Sequence, residues 1–180
     1  DVLGYTDSEE GIWYWDGDSY ETANNGSTAL WAAPGQAFFV SSPVGGSTFS
    51  FRPGNLTTQA SIVSGGSGTG DDFISGDMME DNRGELFISL NQNDFERRTQ
   101  VYFLEDVYDN LDRGYDTRTF PMNDNATSVF TRLVEGDQGV DLAIQSLAYS
   151  EMWDKVIPLG INALGGEEMT ISISHRTTPA

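Results

Sequence analysis

Cysteine is absent from this chain, and histidine and basic residues are scarce. Without thiols there is no disulfide, no thiol nucleophile, no zinc ribbon and no iron–sulfur cluster. The absence does not specify a compartment, because bacterial surface proteins are often cysteine-free. The single histidine, His175, leaves a Ser-His-Asp triad or a multi-histidine metal site almost nothing to build with. Nine Lys and Arg stand against 28 Asp and Glu, a formal net charge of −19. A surface that acidic repels phosphates, which excludes nucleic acid, or an anionic membrane face, held by bulk electrostatics. No run approaches ~18 apolar residues, so no membrane insertion is expected. The opening Asp1-Val2-Leu3-Gly4 offers neither the basic nor the apolar region of a signal peptide, and reads as the start of a mature or excised piece.

What is present is apolar enough to fold. Hydrophobic residues make up 38% of the 180 residues and aromatics 12%, too much for a disordered acidic chain. The length suits one domain, 1–180. Short apolar or alternating runs bounded by turn residues predict strands. They are Ile12-Trp13-Tyr14-Trp15, Leu30-Trp31-Ala32-Ala33, Ala37-Phe38-Phe39-Val40 (read as buried) and Ser47-Thr48-Phe49-Ser50-Phe51. They continue at 85–90, 99–104, 140–145, 156–161 and 169–174. Eight to ten such strands describe an all-β fold, an antiparallel β-sandwich of jelly-roll type. One stretch, 62–81, is dense in Gly and Ser and predicts a mobile loop. Asn-x-Ser/Thr sequences at Asn25, Asn55 and Asn125 suggest surface loops.

Three constellations bear on chemistry. The first is the aromatic group Trp13, Tyr14, Trp15, Tyr20 and Trp31. It reads either as sandwich core or as a flat platform on which a sugar ring stacks while polar neighbours take its hydroxyls. Alternation puts Trp13 and Trp15 on one face, expected in the core, and turns Tyr14 outward. The contacts proposed for a glycan are Tyr14, Tyr20, Trp31 and Trp153, with Asp16, Asp18 and Asn24 as polar partners.

The second is the acidic run 105–116, in which Asp106, Asp109, Asp112 and Asp116 are candidate ligands for Ca²⁺, a hard cation that takes oxygen donors. The spacing is not that of an EF-hand. The alternatives are a solvated loop whose carboxylates cap turns, or a single helical turn. The third is a glycosidase-like carboxylate pair. Among 28 acids such a pair arises by chance, so a polysaccharide-degrading enzyme is the weaker alternative to a non-catalytic module.

Several segments in order carry a likeness: GIWYWDGDSYETANN, ALWAAPGQAFFV, EDVYDNLDRGYDT, VDLAIQSLAYSEMWDKVIPLGINAL and EEMTISIS. Together, from about Gly11 to Ser174, they resemble the β-rich module found upstream of the sorting domain in large surface proteins that Bacteroidota export by type IX secretion. The resemblance implies a secreted or cell-surface location and an accessory role: binding a glycan or cell-surface protein, or acting as a spacer. The family's Gly-Asn-Pro-Tyr-Pro-Ser segment before the Trp-Tyr-Trp strand does not occur here, nor does a sorting domain. The expectation is a piece of a longer exported protein. An open sheet edge would also suit an adhesin subunit that accepts a strand from a partner chain.

Overall fold

The computed structural model describes residues 11–17, 20–27, 30–32, 35–42, 46, 73–75, 83–93, 95–112, 114–120, 127–163 and 165–178. Among them are twelve strands and one short 3-10 turn, Tyr149–Glu151. The strands are β1 (Ile12–Trp15), β2 (Tyr20–Ala23), β3 (Leu30–Ala32), β4 (Phe38–Val40), β5 (Phe73–Ser75) and β6 (Gly84–Gln92). They continue with β7 (Phe95–Leu104), β8 (Thr117–Arg118), β9 (Ser128–Thr131), β10 (Leu142–Ala148), β11 (Leu159–Asn162) and β12 (Thr170–Thr177). The fold is all-β. No described helix is long and apolar enough to cross a membrane.

A seven-stranded sheet runs β11-β9-β10-β7-β6-β12, with β8 pairing β10 outside that path. Its centre is β6, β7 and β10. β6 and β7 form an antiparallel hairpin that turns at Asn93, a non-glycine residue at positive φ. Alternation along this hairpin sorts its faces. Leu86, Ile88 and Leu90 oppose Val101, Thr99 and Arg97, while Glu85, Phe87 and Ser89 oppose Tyr102, Gln100 and Arg98. The expectation of purely antiparallel strands needs correction here, because β10 runs parallel to β7. A parallel neighbour requires a long crossover, and residues 105–141 supply it, carrying the acidic run, β8 and β9. β10 is covered on both faces, which is why LAIQSLA reads as a nearly continuous buried run.

On one face Val101, Phe103 and Leu147 form a buried cluster, packed by Leu86, Val134, Tyr149, Met152 and Ile157. At the β9–β11 edge, Gly160 lies so close to the Phe130 ring that an added Cβ would sit 2.1 Å from a ring carbon.

A second, three-stranded sheet of order β2-β1-β4 packs on the larger one, making a sandwich. Ile12 and Ala23 are its buried centre, with Tyr14, Ala32 and Phe38 against them. Gly11 needs its positive φ and its missing Cβ, because an added carbon would lie 2.4 Å from the Ala23 carbonyl oxygen. Polar bonds tie the layers together. Trp13 Nε1 donates to the Arg118 carbonyl at 3.1 Å. Arg83 donates to the Gly26 carbonyl at 2.6 Å, pairs with Glu85 at 2.7 Å and covers the Tyr102 ring. Glu85 also meets His175 Nε2 at 2.8 Å, which secures β12 to β6.

Several expectations change. The run 37–40 reads as buried, yet Phe39 and Val40 are exposed, because β4 is an edge strand. Within the loop predicted over 62–81, residues 73–75 form β5 and pair with β3. The rest of that loop, the expected strand at 47–51, Asn55 and Asn125 lie outside the described residues. Sequence patterns missed β2 and β9, whose polar residues, Glu21, Thr22, Ser128 and Thr131, break the apolar signal. The single helical turn considered for 105–116 is a series of turns.

Candidate functional site

The site begins at the open end of β1. Register places Trp15 opposite Tyr20 and Trp13 opposite both Thr22 and Phe39, so these side chains share one face of the small sheet. After β8 the chain lays Thr119 and Phe120 along that face. Tyr20 then becomes the hub of a ring cluster. Its centroid is 4.4 Å from Phe120, 5.1 Å from Trp15 and 5.9 Å from Phe39. Phe39 and Phe120 are 5.1 Å apart, and Trp13 reaches Phe120 from below at 5.9 Å. Such tilted and edge-to-face pairs hold each ring in place. Trp13 is buried, whereas Trp15, Phe39 and Tyr20 remain 47%, 43% and 38% exposed.

Tyr20 and Phe120 also line a cleft of about 280 Å³ between β2, β7 and β9. Its other walls are polar: Glu21, Thr22, Glu96, Arg97, Arg98, Gln100, Ser128, Asp141 and Asn162 among them. Arg98 and Glu21 form an ion pair at 2.7 Å. Burial pulls the Arg98 guanidinium down, but Glu21 more than offsets this by charge and hydrogen bond, and the net direction is up. Asp141 pairs with Arg132 at 2.6 Å. Tyr102 donates to Gln100 Oε1 at 2.6 Å, leaving the Gln100 amide nitrogen as the donor. Burial pushes the Tyr102 hydroxyl up to about 12.

The sequence-derived contacts scatter. Tyr20 is central. Tyr14, expected to face outward, is half-buried among Ile12, Ala23, Ala32 and Phe38. Burial, followed by the Glu21 charge, raises its hydroxyl well above the ordinary range. Alternation places the faces, but cover is local: Trp13 bonds to the Arg118 carbonyl and packs on Phe120, whereas Trp15 lies at the end of β1. That is why Trp13 and Trp15 share a face and differ in exposure. Asp16 is exposed beside Trp15. Asn24 is buried and structural: its side chain donates to the Tyr115 carbonyl and to Thr117 Oγ1 and accepts from Gly26 N at 2.9 Å. Trp153 is 79% exposed, but it follows the 3-10 turn and does not line the cleft. Trp31 lies on β3, and its side chain is outside what is described, as is Asp18. Trp15, expected in the core with Trp13, is exposed instead, and Phe39, Phe120 and Arg98 are not among the sequence-derived contacts. The one sequence signal for Trp15 is the Asp16-Gly17 turn, which ends the strand and its cover.

Three of the four candidate calcium ligands, Asp109, Asp112 and Asp116, accept bonds within the fold. Asp116 is buried and accepts from Asp112 N and Ser146 N, each at 2.8 Å. Burial pushes its carboxyl up to about 7, against these two amides, which pull it down. Asp112 accepts from Tyr108 N at 3.3 Å. Asp109 takes Ala148 N at 3.3 Å and is bound by Lys155. Asp106 is exposed at positive φ. Among the described residues, no group of three or more acidic or histidine side chains is placed to hold a metal ion.

Comparison with protein-family models, with curated proteins and with solved structures gives no match for this chain.

Proposed function

We propose that this chain is a non-catalytic extracellular module that binds glycan at the Trp15–Tyr20–Phe39–Phe120 end of the sandwich. The observation that carries the reading is the ring cluster opening onto a polar cleft. The apolar face of a sugar ring stacks on exposed Trp15, Tyr20 or Phe39, and its hydroxyls meet the amides and carboxylates of the cleft. The cleft carboxylates Glu21 and Asp141 are held by Arg98 and Arg132, which suits binding better than acid–base chemistry. The likeness to modules exported by type IX secretion supports a secreted or cell-surface setting, as does a strongly acidic, cysteine-free composition. In affinity electrophoresis against a polysaccharide panel, Tyr20→Ala and Trp15→Ala are expected to weaken retention by about tenfold or more. Unaltered retention in both variants refutes the platform.

A different observation supports the adhesin-like reading. β12 is an edge strand with all eight residues exposed, and Ile173 is 63% exposed. Such an edge invites an added strand. Sedimentation of the chain with and without a charged substitution at Ile173 tests it, since strand pairing predicts an assembly that Ile173→Lys dissolves.

A further inference from the structure

The charges of the cleft say which glycans it takes. Its walls carry three carboxylates, Glu21, Glu96 and Asp141, and two guanidiniums, Arg97 and Arg98, while Arg132 behind the wall balances Asp141. Both guanidiniums already have a partner. Arg98 is committed to Glu21 at 2.7 Å. Arg97 donates to the Glu96 carbonyl at 2.8 Å and lies over the Phe95 ring at 5.5 Å. To reach Arg98 a ligand carboxylate or sulfate would have to displace Glu21, and it would approach a chain of net charge −19. Uncharged hydroxyls meet no such barrier, because carboxylate oxygens accept from them and Gln100 donates to them.

From this geometry we infer that the module selects neutral glycans and rejects uronate- or sulfate-bearing ones. The inference rests on the glycan reading above and adds the ligand class. The Glu21–Arg98 pair is the selecting device. It neutralises the one guanidinium best placed for an anionic sugar while leaving the ring platform open.

The test uses the intact chain in affinity gels containing neutral polymers (xylan, mannan, mixed-linkage glucan) or anionic ones (polygalacturonate, alginate, chondroitin sulfate). The expected result is retention by at least one neutral polymer, loss of that retention in Tyr20→Ala, and no retention by the anionic set. Glu21→Gln frees Arg98 and removes one negative charge from the cleft, and is expected to raise affinity for polygalacturonate by about tenfold. If the wild-type chain is retained by an anionic polymer and Tyr20→Ala abolishes this, the site binds glycan and the selectivity inference is wrong. An unchanged polygalacturonate affinity in Glu21→Gln, with the variant folded by circular dichroism, also overturns it. If no polymer in the panel is retained, both the glycan reading and the inference built on it fail.

Discussion

Residues 13–21 and 105–116 look alike as sequence. Each mixes aromatic rings with carboxylates around a glycine. In the sandwich they do opposite things. The first lies at the end of a three-stranded sheet, where Trp15 and Tyr20 find neighbours on one side only and keep a face in water. The second crosses over between two parallel strands. There Asp109 and Asp116 turn inward to accept from the backbone of β10, while Tyr108 is left outside. The difference lies in where backbone amides need acceptors. The edge of β10 presents Ser146 N and Ala148 N to the crossover, and an amide left without an acceptor there is costly. Carboxylates near such an edge become struts, and rings near an uncovered sheet end become surface.

The largest expected effect breaks the strut side. Asp116→Ala leaves the amides of Asp112 and Ser146 without their acceptor and is expected to cost about 2–4 kcal/mol in urea denaturation. Tyr20→Ala, on the platform side, should cost binding far more than stability. A loss of stability as large as that of Asp116→Ala would erase the contrast between the two segments.

A smaller and more pointed effect is pH dependence. Asp116 has a folded pKa of about 7 against an ordinary 3.8, so the folded state holds its proton more tightly. Its contribution is complete below about pH 4 and is lost as the pH rises through about 7. Urea melts across this range are expected to show a decline in the wild type that is shallower in Asp116→Asn, which cannot ionise. Equal slopes would assign the decline to other groups.

Calcium should act more weakly still. A cation at 105–116 must compete with Lys155 for Asp109. A rise in melting temperature of no more than about 2–4 °C is therefore expected, the shift of about 1 kcal/mol in a chain of this size. Lys155→Ala should enlarge that rise. The smallest effect belongs to Trp153→Ala. The ring is exposed and lies outside the cleft, so stability is expected to stay within about 0.5 kcal/mol and glycan retention to stay the same.

Much of this is legible in the sequence. The patterns of 85–90, 99–104 and 169–174 marked the strands β6, β7 and β12, though not their pairing. Tyr20 was legible only as one of several aromatics in 13–31. The partners that make it a site were not. Phe120 lies a hundred residues away in a stretch without strand signal, and Phe39 sat in a run that resembles core. Arg98 resembled any charged residue on a strand until register brought it to Glu21 across 77 positions.

Period-two alternation and the turn residues by themselves determined an all-β chain rich in aromatics, because side-chain direction along a strand is a local property. Which of those aromatics face water, which carboxylates become internal acceptors and which arginine is neutralised were decided by tertiary structure alone. Exposure and pairing depend on what another part of the chain lays alongside, and sequence spacing carries no record of that neighbour.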